Sequence, residues 1–304
     1  MSQLYFVLTR RCNQYCVSCP RHQENRIPDE KYDNVKGRLF STIRRFEVDR
    51  VTLSGGEPTL FPFFPDILRE LDARSLPVLI QTNGQRFRDR TFAGECFGGV
   101  EKSRYHILTA IHSLDPEIHD RITGVKGSWR NVVEGIHVLR DQGVRVTVKH
   151  ILSAMNYRQL PQFAEWVSRE FDHSVGVCVS GMDYIGMSLE EKKDYVLDYR
   201  EAVPYMKQML DRIEDGSCSF PVFVIIELPL CMIESGYHHF FLNTRTTDQI
   251  YQDAYMSYPT RRIHDFTTDH PECMACAARE NCPGIWEEHY KMYGDCIHPI
   301  TALP

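Results

Sequence analysis

Cys12, Cys16 and Cys19 lie three and two residues apart in the stretch LTRRCNQYCVSCPRH. Thiolates at that spacing can converge on one inorganic centre if the loop curls around it, and they suit zinc and iron–sulfur clusters alike. His22 follows closely, so a Cys3His zinc site is one alternative, and a cluster with one iron left open is the other. A second group, Cys273, Cys276 and Cys282, forms C-x2-C-x5-C, with Cys231 upstream and Cys296 downstream. Paired cysteines with distant partners make many structural zinc sites, and His289 is a further candidate ligand there.

Between the two groups lies SGGEP, residues 54 to 58. Adjacent Gly55 and Gly56 let backbone approach a ligand without a Cβ in the way. Glu57, stiffened by Pro58, can aim its carboxylate or its backbone carbonyl at an ammonium group.

The elements that carry these residues follow a repeating pattern. Apolar strands are expected at 4–9, 50–56, 77–84, 105–113, 144–152 and 174–180. Amphipathic helices are expected at about 31–46, 62–73, 88–95, 128–143, 160–171 and 188–214. Alternation of this kind predicts an α/β chain with a parallel sheet, whose chemistry gathers at the carboxyl ends of the strands. The alternation stops near 215. The sequence therefore divides into a barrel-like unit, 1–214, and a smaller Cys-rich unit, 215–304, with no flexible linker between them.

With 304 residues, 42% of them hydrophobic, the chain is long enough for a sizeable core. The net charge of -6 argues against a nucleic-acid partner. No signal peptide precedes the first strand, and no apolar run reaches the ~18 residues of a membrane span, so the expected location is cytoplasmic, with no membrane partner. Eleven cysteines in a reducing compartment are expected to be thiols or metal ligands.

Taken together, Cys12, Cys16, Cys19, the Gly55-Gly56-Glu57-Pro58 motif, TNG at 82–84 and HSLDPEIHDRITGVKGSW at 112–129 resemble the radical S-adenosylmethionine (SAM) superfamily. The resemblance implies a partial (β/α)6, TIM-like barrel whose three cysteines hold a [4Fe-4S] cluster, with SAM chelating the open iron. It further implies reductive cleavage of SAM to a 5′-deoxyadenosyl radical that abstracts hydrogen from a substrate. By the same resemblance Glu57 binds the SAM ammonium, and Tyr15, Gly55, Gly56 and Pro58 line the cofactor site. Asn83, Ser113 and Lys149 are candidates for ribose or carboxylate contacts, with a structural polar role as the alternative for each. The second cysteine group resembles the Twitch, or half-SPASM, extension of peptide maturases, which implies an auxiliary [4Fe-4S] cluster on Cys231, Cys273, Cys276 and Cys282, with Cys296 the rival of Cys231. A full SPASM pattern would carry a cysteine at 286, where this chain has Trp286. DYREAVPYMKQML, PLC and the closing IHPI resemble the HxsC-type maturases of the His-Xaa-Ser peptide system. The partners implied are a ribosomally made precursor peptide, an electron donor such as flavodoxin or ferredoxin, and a separate leader-binding or partner maturase protein. A small-metabolite substrate and a non-enzymatic zinc-stabilised module are the alternatives.

Overall fold

The computed structural model describes residues 2–17, 19, 31–182, 184, 193–243, 249–252, 257–260, 267–268, 270–294 and 297–302. Six strands alternate with helices as expected: β1 (Gln3–Thr9), β2 (Arg50–Gly55), β3 (Val78–Gln81), β4 (Tyr105–Ala110), β5 (Arg145–Ile151) and β6 (Gly176–Ser180). Each is hydrogen-bonded in parallel to the next.

Two further strands extend this sheet from the region after residue 215. β7 (Phe223–Ile226) pairs with β6, and β8 (Gln249–Gln252) pairs with β1, both parallel. β9 (Ser257–Thr260) then closes antiparallel on β8, giving the order β7-β6-β5-β4-β3-β2-β1-β8-β9. The pattern break near 215 is therefore not a break in the sheet. A separate ribbon, β10 (Thr267–Thr268) with β11 (Ile285–Trp286), lies beside the second cysteine group.

Strand periodicity separates two faces. Leu4, Phe6 and Leu8, Val51 and Leu53, Val78 and Ile80, Tyr105 and Ile107, and Val146 and Val148 all turn to one side and are buried. They pack in one continuous core with the helices, among them α1 (Tyr32–Arg45) and α2 (Phe64–Asp72). In α2, Phe64, Ile67, Leu68 and Leu71 form the inward stripe, and burying such side chains contributes about 1.5–3 kcal/mol each. The other face of the sheet is polar. Tyr5 donates its hydroxyl to Ser54 Oγ (2.7 Å), Ser54 donates to Gln81 Oε1 (3.0 Å), and His106 Nε2 meets Thr147 Oγ1 (2.8 Å). A polar concave face is what a barrel that encloses a ligand needs.

Four more helices follow β3 to β5: α3 (Arg90–Phe97), α4 (Pro116–Thr123), α5 (Ser128–Asp141) and α6 (Leu160–Glu170). α7 (Tyr199–Glu214) starts later than the periodicity predicts, because Asp198 accepts from Arg200 N at 3.0 Å and caps it. Residues 193–198 are turn and extended chain, and 185–192 lie outside the described residues. The last helix is α8 (Glu287–Tyr293). Among the described residues no helix is long and apolar enough to cross a membrane.

Candidate functional site

The first cysteine group occupies the loop after β1, at the carboxyl edge of the sheet. Two sets of backbone bonds fix that loop. Gly56 N donates to Thr9 O (2.8 Å) and Glu57 N to Arg11 O (2.7 Å), while Tyr15 N donates to Thr123 O and Val17 N to Ile122 O, both at 2.9 Å. The glycines of SGGEP act here. A Cβ on Gly56 would lie 2.2 Å from Arg11 O, and one on Gly55, whose φ is 136°, would lie 2.1 Å from Thr9 O. What approaches these glycines is the backbone of the cysteine loop, so their small size is needed whether or not a ligand is bound.

Cys12, Cys16 and Cys19 are all half-buried. Burial, followed by the charges of Glu57 and Cys19, pushes the Cys12 thiol up to about 11. Burial and then the neighbouring Cys19 and Cys12 push Cys16 up as well. Gln14 N donates to Cys12 Sγ at 3.4 Å. Thiols crowded this way can ionise together only beside compensating positive charge, and a ferrous–ferric cluster provides it. The donor set fits a [4Fe-4S] cluster. His22 lies outside the described residues.

Of the two groups Glu57 could offer an ammonium, the carboxylate is held by the protein. Glu57 is 1% exposed, and its carboxylate is engaged by protein donors. Oε1 accepts from Thr59 N (3.0 Å), Thr59 Oγ1 (2.6 Å) and Thr82 Oγ1 (2.7 Å), and Oε2 accepts from Asn83 N (2.6 Å). Burial raises its pKa, against the four donors, which favour the charge. The side chain staples the end of β2 to the end of β3, and the backbone carbonyl is the part of Glu57 left to meet an ammonium. Pro58 is buried at the start of a short 3-10 turn. Asn83 extends the staple, donating Nδ2 to Asn13 Oδ1 (2.7 Å) inside the cysteine loop. Thr59, Thr82 and Asn13 went unnoticed in the sequence, although Thr82 and Asn83 are neighbours in TNG.

Ser113 is fully buried, and its hydroxyl is engaged. It donates to Gln159 Oε1 (2.9 Å) and accepts from Asp115 N (3.0 Å), so it shapes the turn after β4. Lys149 is half-buried on β5, with Cys178 its register partner on β6. Tyr15 is 61% exposed on the cysteine loop.

Beside the loop is a cavity of about 250 Å³, open on one side, lined by Val17, His112, Ile122, Ile151, Ser153, Met182 and Tyr195. Ser153 Oγ is buried and has no partner among the described residues. The pocket touches the cysteine loop through Val17 and carries one unanswered hydroxyl. His112 on its wall meets His119, their rings 5.4 Å apart. Burial lowers His112 well below the ordinary range, and holds His119 and His150 down to about 4.

The second cysteine group surrounds its own cavity, of about 430 Å³ including the part open to solvent. Cys231, Cys273, Cys276 and Cys282 all line it, with Ile285, Ile297 and His298. Backbone amides point at the sulfurs: Leu230 N and Gly284 N at Cys282 Sγ (3.4 Å each), and Ile300 N at Cys276 Sγ (3.3 Å). Such bonds stabilise thiolates. Among the described residues no three His, Cys, Asp or Glu side chains meet closely enough to share one metal ion. Cys296 lies outside the described residues. His289 is turned away from this cavity, with Nε2 on Leu197 O (3.1 Å) and its ring stacked on Tyr199 (4.1 Å). Trp286 is buried beside Tyr184 and Met182, so a bulky indole occupies the position that a cysteine would take in the full pattern. Cys96, Cys178 and Cys218 are buried free thiols.

The chain matches the radical SAM superfamily over residues 6–167, just over half its length, and belongs to that family of enzymes. Membership brings a [4Fe-4S] cluster and SAM as cofactors. The chain is 24% identical over 199 residues to the Fe-coproporphyrin III synthase of Methanosarcina barkeri, covering 62% of this chain and 48% of that protein. It is 27% identical over 168 residues to the mycofactocin maturase MftC of Mycobacterium tuberculosis, covering 55% and 41%. It spans about half the length, or less, of these curated relatives. Its fold is also that of anSMEcpe with bound AdoMet and the Cp18Cys peptide, at a TM-score of 0.67 and 14% identity, covering 97% of this chain and 95% of that one.

Proposed function

We propose that the chain modifies a ribosomally made peptide by radical chemistry, using SAM beside Cys12, Cys16 and Cys19 and a second [4Fe-4S] cluster on Cys231, Cys273, Cys276 and Cys282. When bound, the first cluster and SAM supply a carbon-centred radical able to take hydrogen from an unactivated C–H bond. The protein's part is to hold and orient. Gly55 and Gly56 seat the cysteine loop on β2, Glu57 and Asn83 lock it to β3, and Ser153 offers a hydroxyl to the cofactor pocket.

The observation that carries the proposal is the ring of four cysteines, drawn from 231 and from 273–282, around one cavity. It lies close to the barrel mouth. Tyr293 packs against the Ile285–Ile297 cluster, as Cys231 and Cys273 do, and also against the Met182–Trp286 cluster, and Met182 lines the pocket beside the cysteine loop. A peptide substrate is supported by the anSMEcpe structure, which matches along nearly the whole of both chains and is peptide-bound, and by the maturase MftC. Electrons come from a flavodoxin or ferredoxin, and a separate protein presents the leader. The HxsC-type assignment rests on the sequence motifs.

Anaerobic reconstitution tests the metal content. About eight irons per chain are expected, falling to about four in Cys231→Ala with SAM cleavage to 5′-deoxyadenosine retained. Stoichiometric zinc at the second site would refute the auxiliary cluster. Peptides encoded beside the gene, incubated with SAM and dithionite, should change mass. The similarity to Fe-coproporphyrin III synthase favours a second reading, a small-molecule substrate, which turnover of a porphyrin but of no peptide would establish.

A further inference from the structure

Five non-glycine residues have a left-handed backbone: Glu47, Ser75, Asp172, His173 and Glu227. The first four lie in turns between a helix and the next strand, after α1, α2 and α6, where helices commonly end this way. They are all at the amino edge of the sheet. Glu227, with φ 59°, instead follows β7 directly, at the carboxyl edge where the chemistry gathers.

The surroundings of Glu227 are built around that conformation. Gly181 N donates to Ile226 O at 3.1 Å, and a Cβ on Gly181 would lie 2.2 Å from Glu227 O. Ser180 Oγ donates to Glu227 Oε2 at 2.7 Å. Oε1 has no partner among the described residues, and the side chain is partly exposed. On one side the next residue of β6's extension, Met182, lines the pocket beside the cysteine loop. On the other, Pro229, Leu230 and Cys231 line the four-cysteine cavity. Lys149 lies across Cys178 on β5.

We propose that Glu227 is a substrate-positioning carboxylate that receives a cationic side chain, lysine or arginine, of the peptide between the two cofactor sites. A glycine would adopt this backbone with less strain, so the position keeps a glutamate for its side chain. Ser180 fixes one carboxylate oxygen, holds the rotamer, and leaves the other oxygen for a ligand. The inference rests on the peptide reading above.

The test is a random hexapeptide library incubated anaerobically with the reconstituted full chain and SAM, with the retained peptides sequenced by mass spectrometry. Wild type should enrich lysine- and arginine-containing peptides about fivefold, the factor a partly exposed ion pair supports. Glu227→Gln should abolish the bias, and Glu227→Lys should turn it toward aspartate and glutamate. Glu227→Gly should melt no lower than wild type while also losing the bias, which separates positioning from folding. Retention without charge bias, or a bias that survives in Glu227→Gln, overturns this proposal alone. Retention of no peptide by wild type overturns the peptide reading, and this proposal with it.

Discussion

Glu57→Gln separates two roles for this residue, because the change keeps the shape and removes the charge. Oε1 receives three donors and Oε2 one, so the glutamine oxygen settles at Oε1 and the amide nitrogen takes the Oε2 position. There it faces Asn83 N–H, which lies 2.6 Å from Oε2 in the wild type, and two donors oppose each other. A hydrogen bond to a charged group contributes about 1.5–3 kcal/mol, and relief from burying a charge offsets part of it. A net loss of about 2 kcal/mol follows, or about 30-fold in the folding equilibrium. Asn83 shifts, and with it the Asn83–Asn13 bond that steadies the cysteine loop. Anaerobic urea denaturation should show a lower midpoint with an unchanged slope. Iron occupancy at Cys12, Cys16 and Cys19 should fall, while Glu70→Gln, a half-buried position on α2 paired with Lys36 and Arg74, should leave occupancy unchanged. If Glu57→Gln is as stable as wild type within about 0.5 kcal/mol and only SAM binding weakens, the carboxylate holds the ligand and the staple is refuted.

Three further outcomes follow from the same geometry. Gly56→Ala should destabilise by about 1–3 kcal/mol through the clash with Arg11 O, whereas Gly37→Ala, in an open position on α1, should stabilise by about 0.5–1 kcal/mol; thermal melts of both check this. His119 and His150 have folded pKa values near 4, below the ordinary 6.5, so the folded state binds fewer protons than the unfolded state between those values. Stability should therefore fall as pH drops from about 6.5 toward 4, and melts across that window should slope less steeply in His150→Leu. Partial burial pushes Asp120 up, but bonds from Trp129 N, Gly127 N and Ser128 outweigh it and leave its pKa low. Asp120→Asn should lose about 1–3 kcal/mol, read as a lower melting point at pH 7, and the loss should shrink as pH falls from about 3.8, where the unfolded carboxylate protonates, through the lower folded pKa of Asp120.

The six strands of the barrel were legible because each pairs with its sequence neighbour and carries its own apolar periodicity. β7 and β8 were not, since each has four residues and takes its identity from a partner far away in sequence, β8 from β1 in particular. The start of α7 was written as D-x-x-E at Asp198 and Glu201, a capping signal that the longer helical periodicity obscured. Spacing alone marked the cysteines, because ligands of one centre must lie close together. The role of the Glu57 carboxylate could not be read in the same way. A buried carboxylate is defined by its donors, and Thr82 and Asn83 reach it only once β3 lies beside β2. For Ser113 the sequence left a ligand contact and a structural role open, and the partner of its hydroxyl, Gln159, lies 46 residues on.

The strand order ends in β7 on one side and β9 on the other, and no described pairing joins them. A closed ring would have to be threaded from a free end. A wall with a lengthwise gap can receive a long polymer sideways, so residues far from either terminus of such a polymer can reach the interior without the rest of it passing through.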